Sequence, residues 1–273
     1  MRAQTSPYRN FPFILGASLL AAFVIFAVLG PLIAPYTAEQ FTPFKLAKPS
    51  WAHWFGTDRY GRDVLSRVII GTRVTVVMAT LSTILGVFGG IALGMLAGYK
   101  GGWLDEAIMR GCDVVMSFPS LLLALLVVSV LGPNEVNAVI SIGVVFMPRV
   151  ARVVRSAVLP VRSAPYIEAA ELRAERTDYI LFRELFPNVL PVIIVESCIR
   201  FSFAAMLTVS LSFLGLGAQP PSSDWGLMIS AERGFMLLAP WVVAAPAAFL
   251  SLFIISINLL GDSLRVILAV REI

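Results

Sequence analysis

Charge is what this sequence has least of. Only 14% of its 273 residues are Asp, Glu, Lys or Arg, against about a quarter in a typical soluble domain. With 58% of residues apolar and a mean hydropathy of +0.85, an ordinary water-soluble globule is excluded. Histidine is nearly absent: His53 stands alone, with no Cys, Asp or Glu at ligand spacing, so no metal site is expected. The two cysteines, Cys112 and Cys198, show no pairing or ligand spacing and read as small buried residues. The dipeptide Gly-Lys does not occur, which removes the G-x-x-x-x-G-K-[ST] phosphate loop; no nucleotide cofactor is expected on this chain. No Ser or Cys nucleophile is patterned with a base, so enzymatic chemistry is not indicated. The net charge of +4 is small, and its arginines lie between apolar segments, a distribution that fits topology and not nucleic-acid binding.

What the sequence does have is long apolar runs. A bilayer core of roughly 30 Å needs about 20 apolar residues per helix. Runs of that kind predict an all-α integral-membrane protein with six spans, at about 13–33, 74–98, 114–132, 136–154, 189–214 and 241–260. The third is entered through Ser117-Phe118-Pro119, and the uncharged stretch of the fourth stops at Pro148, leaving Arg149 and Arg152 to snorkel. The first run exceeds a signal-peptide core and lacks a small-residue cleavage site, so it is expected to be retained. The organisation expected is an N-terminal span with an extracytoplasmic segment (1–72), a main membrane domain (73–262) and a tail (263–273). With the N-terminus inside, inner segments hold 13 Lys and Arg and outer segments seven, which predicts both termini in the cytoplasm. Segment 34–73 runs against the rule, with six basic residues on the outside.

Gly86, Gly90, Gly94 and Gly98 recur every four residues and place a small-residue stripe on one helix side. Such a stripe serves close helix packing or a hinge. Within the spans the clear ionisable residues are Glu196 and Arg200, four apart on one face. They are either a self-neutralising pair or a polar lining of a path through the membrane. His53 sits between Trp51 and Trp54, a cluster suited to anchoring at the membrane interface. The run Arg59–Arg73 reads as an amphipathic helix along the outer surface, and 218–240 as a connecting loop.

Segment 155–187 is basic but patterned. Ser163 is placed to cap a helix with Pro165 at its second position, and Thr177 or Asp178 to cap a second one ending at Phe186 before Pro187. Two short helices joined by a bend form a knob that could dock on a partner or lie on lipid headgroups. Tyr166-Ile167-Glu168-Ala169-Ala170, with Leu172, Ala174 and Leu185-Phe186-Pro187-Asn188, resembles the EAA loop of binding-protein-dependent ABC importer permeases. Three more stretches resemble the C-type permease of dipeptide, oligopeptide and nickel importers. They are Phe55-Gly56-Thr57-Asp58 through Asp63 to Arg67, Ser212-Phe213-Leu214-Gly215-Leu216-Gly217 on to Trp225-Gly226, and Asn258-Leu259-Leu260-Gly261-Asp262.

The resemblance implies a type I importer fold in a bacterial or archaeal plasma membrane. It also implies a second permease, two ABC ATPases carrying ATP and Mg, and an extracytoplasmic binding protein. Carried over, Glu168, Ala169 and Ala170 lie on the ATPase-coupling helix, Ala174 at its bend and Pro187 at its end; glutathione is a further substrate of such systems. This chain departs from the pattern at Ala174, where the family has glycine: the bend is either less sharp or strained. The competing class is a secondary transporter or channel that works without ATP, for which inverted repeats or buried charge clusters would be expected.

Overall fold

Lipid gives backbone groups no hydrogen-bonding partner, so a chain this apolar must satisfy them within helices. The computed structural model, which describes residues 11–269, has that form: among the described residues the only β pairing is one bridge, Thr57 to Asp63. Long helices α1 (Phe11–Ile33), α2 (Val64–Lys100), α5 (Glu135–Arg162), α8 (Phe186–Phe213) and α10 (Trp241–Ala269) carry the fold. Between them lie α3 (Gly102–Met116), α4 (Ser120–Leu131), α6 (Pro165–Leu172), α7 (Thr177–Tyr179) and α9 (Trp225–Glu232). Five helices are long and apolar enough to cross a membrane, and six spans result if α3 and α4 count as one bent span.

The second, third and fourth spans differ from the sequence expectation, and so does the fifth, which begins at Thr177. The third is not a single helix over 114–132: α3 and α4 meet at 91° across Ser117-Phe118-Pro119. Proline disfavours helical backbone in the residue before it and breaks the hydrogen-bond ladder. The fourth, expected over 136–154, continues through Pro148 and Pro160 to Arg162. The second starts at Val64, and the stretch up to Arg73 is the beginning of this same helix, not a separate one on the surface. Asp63 fixes that start, accepting hydrogen bonds from the Ser66 amide (2.8 Å) and hydroxyl (2.7 Å).

The segment before α2 folds into a frame of its own, in which half of its basic residues meet carboxylates. Arg62 pairs with Asp58 at 2.7 Å, Arg59 with Glu232 at 3.4 Å, and Arg67 reaches both Asp58 (3.9 Å) and the Ala38 carbonyl (3.2 Å). Burial and the neighbouring Asp58 push the Glu232 carboxyl above its ordinary range, while Arg59 and Arg62 pull it down. His53 belongs to the frame as well: buried, it meets Asp63 at 2.9 Å and packs on the Tyr36 ring. Trp51 and Trp54 beside it stay exposed.

The connection 218–240 is not a plain surface loop. Trp225, at the start of α9, is fully buried and its ring meets Phe23, Phe249 and Phe253 at 6.0–6.3 Å between centroids. Phe23 lies ten residues before the end of α1, about 15 Å along the helix. The segment thus dips from one end of the bundle into its interior. The indole N–H donates to the Val68 carbonyl (3.0 Å), and Asp224 caps α9 through the Leu227 amide (3.1 Å) while accepting from Thr75 (3.0 Å).

The broadest interhelical contact is α2 on α5. The four stripe glycines lie along it, facing Phe146, Val150, Ala151 with Val154, and Val158 in turn. A Cβ added at Gly94 would come within 2.4 Å of the Ala151 carbonyl oxygen and 2.8 Å of Val154. In lipid this closeness replaces the hydrophobic driving force that water would supply. Gly94→Ala is therefore expected to destabilise the purified chain by about 1–3 kcal/mol through overpacking. Gly111→Ala, on α3 with nothing within 4 Å, is the control; thermal unfolding in detergent should separate the two.

Candidate functional site: a helical knob and an intramembrane charge pair

The knob begins where Pro165 forces Ala164 into extended backbone (φ −76°, ψ 142°). Ala164, not Ser163, is the cap residue of α6; Ser163 closes α5 instead. After eight residues the helix ends in a paired closure: the Ala174 amide donates to the Glu171 carbonyl (2.9 Å) and the Glu175 amide to the Ala170 carbonyl (3.1 Å). This is the Schellman ending, which needs a left-handed residue at its centre. Ala174 occupies it at φ +55°. The bend is as sharp as a glycine would make it, and an alanine is strained there.

The second half also differs from expectation. Neither Thr177 nor Asp178 caps it; Arg176 is the extended residue, its guanidinium held by Asp178 at 3.0 Å. Nor does the helix stop before Pro187. From Thr177 the chain runs through a π-helical turn, Ile180–Leu185, straight into α8. Pro187 has no N–H to give and its ring would press on the carbonyl four residues back; the wider turn before it makes room.

The knob has two faces. Ile167, Ala170, Ile180 and Leu185 are fully or almost fully buried, packed with Tyr99, Val154, Val158, Val189 and Ile193 from α2, α5 and α8. Lys100 ties α2 to Thr177 at 3.3 Å. The other face leaves Glu168, Pro187, Tyr166, Phe182 and above all Leu172, 89% exposed, open to solvent. Ala169 is half-buried between them. Ala170 thus packs inward, its small side chain letting α6 lie close to its own bundle. Which of the three EAA residues faces out depends on helix phase, which the motif does not reveal.

Glu196 and Arg200 meet Oε1 to Nε at 2.7 Å, at angles too poor for a hydrogen bond. Both side chains are about nine-tenths buried, and the Arg200 guanidinium lies 5.7 Å from the Phe146 ring and 5.4 Å from Phe203. Arg149 on α5 is close enough to act electrostatically on both charges. The sequence offered no sign of this, because only the packing of α5 on α8 brings the two helices together. Arg152 and Arg155, further along α5, are instead paired with Asp113 and Asp105 of α3. His53, occupied with Asp63, is far from a ligand cluster, and the described residues contain no group of three or more His, Cys, Asp or Glu able to hold a metal.

A bundle of five or six membrane helices carrying a helical knob, fused to the bundle on one face and bare on the other, is the architecture of a transporter's membrane subunit. The chain belongs to the binding-protein-dependent transport system inner membrane components, whose family profile matches residues 90–272. It is a multi-pass permease of the ABC importer class. It is 38% identical over 253 residues to the dipeptide transport system permease protein DppC of Alkalihalophilus pseudofirmus, covering 92% of this chain and 83% of that one. It is 40% identical over 235 residues to the glutathione transport system permease protein GsiD of Pectobacterium atrosepticum, with coverages of 85% and 78%. The di/tripeptide permease DppC of Pseudomonas aeruginosa matches at 38%, with coverages of 92% and 86%. Among solved structures, an inward-facing form of the MetNI methionine ABC transporter superposes with a TM-score of 0.60 at 18% identity, over 74% of this chain and 96% of that one. That likeness establishes the type I importer fold.

Two variants test the geometry. Ala174→Gly should relieve the left-handed strain and stabilise the knob by about 0.5–1 kcal/mol, read as slower amide exchange over 165–176. Glu196→Leu should destabilise more than Arg200→Leu, because the first leaves two arginines facing each other and the second leaves Glu196 with Arg149. Breaking a buried pair costs about 3–5 kcal/mol. Thermal unfolding of the two single variants and the double variant checks the order.

Proposed function

We propose that this chain is one of two different permeases of an ATP-driven importer, moving di- or oligopeptides or related small solutes such as glutathione into the cell. The second permease, two ABC ATPases and an extracytoplasmic binding protein complete the assembly. ATP and Mg reside on the ATPases, and the permease itself performs no catalysis. Both termini face the cytoplasm, a placement favoured by the arginines of α5 and the knob. The peptide class is supported by the names of the relatives, which are dipeptide, di/tripeptide and glutathione permeases.

The observation that carries the reading is the two-faced knob. Its buried face makes it one body with α2, α5 and α8, and its bare face offers Leu172, Tyr166 and Phe182 to a groove on an ATPase. Large apolar residues are left over on the outer face, the usual anchors of a protein interface. Glu196 and Arg200 are the polar part of the translocation path, and the glycine stripe keeps α2 and α5 together while that path opens and closes.

Leu172→Glu tests the docking face. Since Leu172 is almost fully exposed, the substitution should change stability by no more than about 0.5 kcal/mol. Pulldown from native membranes should lose the ATPases, and ATP-driven uptake in proteoliposomes should fall at least tenfold. Full ATPase recovery with this variant would move the docking site elsewhere. Solute movement by the chain alone, without ATP, would replace the importer with an autonomous transporter.

A further inference from the structure

The charges inside the membrane do not balance. Among the described residues, α1, α4, residues 74–99 of α2 and residues 241–261 of α10 carry no Asp, Glu, His, Lys or Arg, and of these types α8 carries only Glu196 and Arg200. From α5 the group facing them is Arg149, three residues beyond Phe146 and so on the same helix side as the ring that Arg200 faces. Arg152 and Arg155 are already matched by Asp113 and Asp105. Two arginines therefore stand on this side with one carboxylate, which Arg200 alone contacts, and the buried Nη1 of Arg200 has no hydrogen-bond partner.

A spare cation at this depth is costly unless an anion joins it. The site also has an opening. Along α8 from Arg200, Ile199, Phe203 and Met206 are 37–49% exposed in the single chain, so the guanidinium over the Phe203 ring sits at the edge of a face that the rest of this chain does not cover. Planar guanidinium groups bind carboxylates through paired hydrogen bonds.

We propose that Arg149, Glu196 and Arg200 form a carboxylate-binding site on the translocation path, engaging the free C-terminal carboxylate of the passing peptide. Arg149 and Arg200 bind it. Glu196 is a positioning residue that holds Arg200 and leaves room for one further negative charge. This deepens the importer reading and rests on it.

The test is uptake by the complete importer in proteoliposomes, driven by ATP and by its binding protein saturated in turn with one dipeptide and with the same dipeptide amidated at its C-terminus. The readout is the ratio of acid to amide uptake, from which losses of folded protein cancel. The wild type should prefer the acid; Arg149→Gln and Arg200→Gln should each lower the ratio at least tenfold, and Arg149→Lys should restore most of it. A ratio unchanged in both glutamine variants overturns the carboxylate site alone. Absence of ATP-driven uptake by the wild type overturns the importer reading instead.

A second measurement needs no binding protein. In a background with Cys112 and Cys198 changed to Ser, Phe203→Cys should be labelled by a maleimide more slowly in millimolar dipeptide than in its amide. Adding Arg200→Gln should erase the difference. Equal labelling under all these conditions also overturns the site.

Discussion

Everything else in this fold depends on how closely α2 and α5 approach. Their axes come together because glycine recurs every fourth residue along α2, and each gap receives a side chain or carbonyl of α5. In water the same helices would be driven together by burying apolar surface. In lipid that force is missing, and contact area at short range must do the work. The pair then serves as the wall on which the others are placed: α1 and α9 against the outer half of α2, and the knob against its inner end. The two apolar clusters divide along the same line. One holds the outer half around Trp225 and Phe253, the other the inner half around Val154, Ile167 and Leu185.

Much of this was legible because lipid leaves few options. Length and lack of charge mark the long helices, and the four-residue glycine period marks a packing face. The motifs around Asp63, Ala170 and Gly217 mark the family. What could not be read were features decided between segments. Trp225 lies in a stretch rich in proline and serine that looks like a loop, and only its meeting with Phe23, Phe249 and Phe253 makes it a core residue. Ala170 and Glu168 are near neighbours in one motif, yet helix phase sends the first inward and the second outward. That Arg59, Arg62 and Arg67 of 34–73 meet the two carboxylates of Asp58 and Glu232 was likewise invisible, because Glu232 comes from a distant segment. At the knob the sequence left two alternatives at Ala174, and a single dihedral angle decided between them.

The charge site and the knob share an arrangement in which local sequence is tuned to one neighbour and left open to another. Glu196 and Arg200 offset each other's charge along α8 but leave Arg149 across from them without a carboxylate of its own. The knob satisfies its own bundle and leaves Leu172 bare. In both places the incompletely satisfied side is where a partner from outside the chain is expected, in keeping with the tendency of functional sites to depart from full internal consistency.

The unbroken run from Thr177 to Phe213 has one further consequence. At about 1.5 Å per residue its 37 residues make a rod near 55 Å long, with the knob's second half at one end and, at the other, the Ser212 hydroxyl that anchors Ala218 at 3.1 Å. A rod pivoting about its middle by roughly 5° moves each end by about 2.4 Å, in opposite directions, on the 1.5 Å rise of a helix. A push at the knob end would thus arrive at the Ser212 end as a pull, through one lever arm and without any relay of side chains.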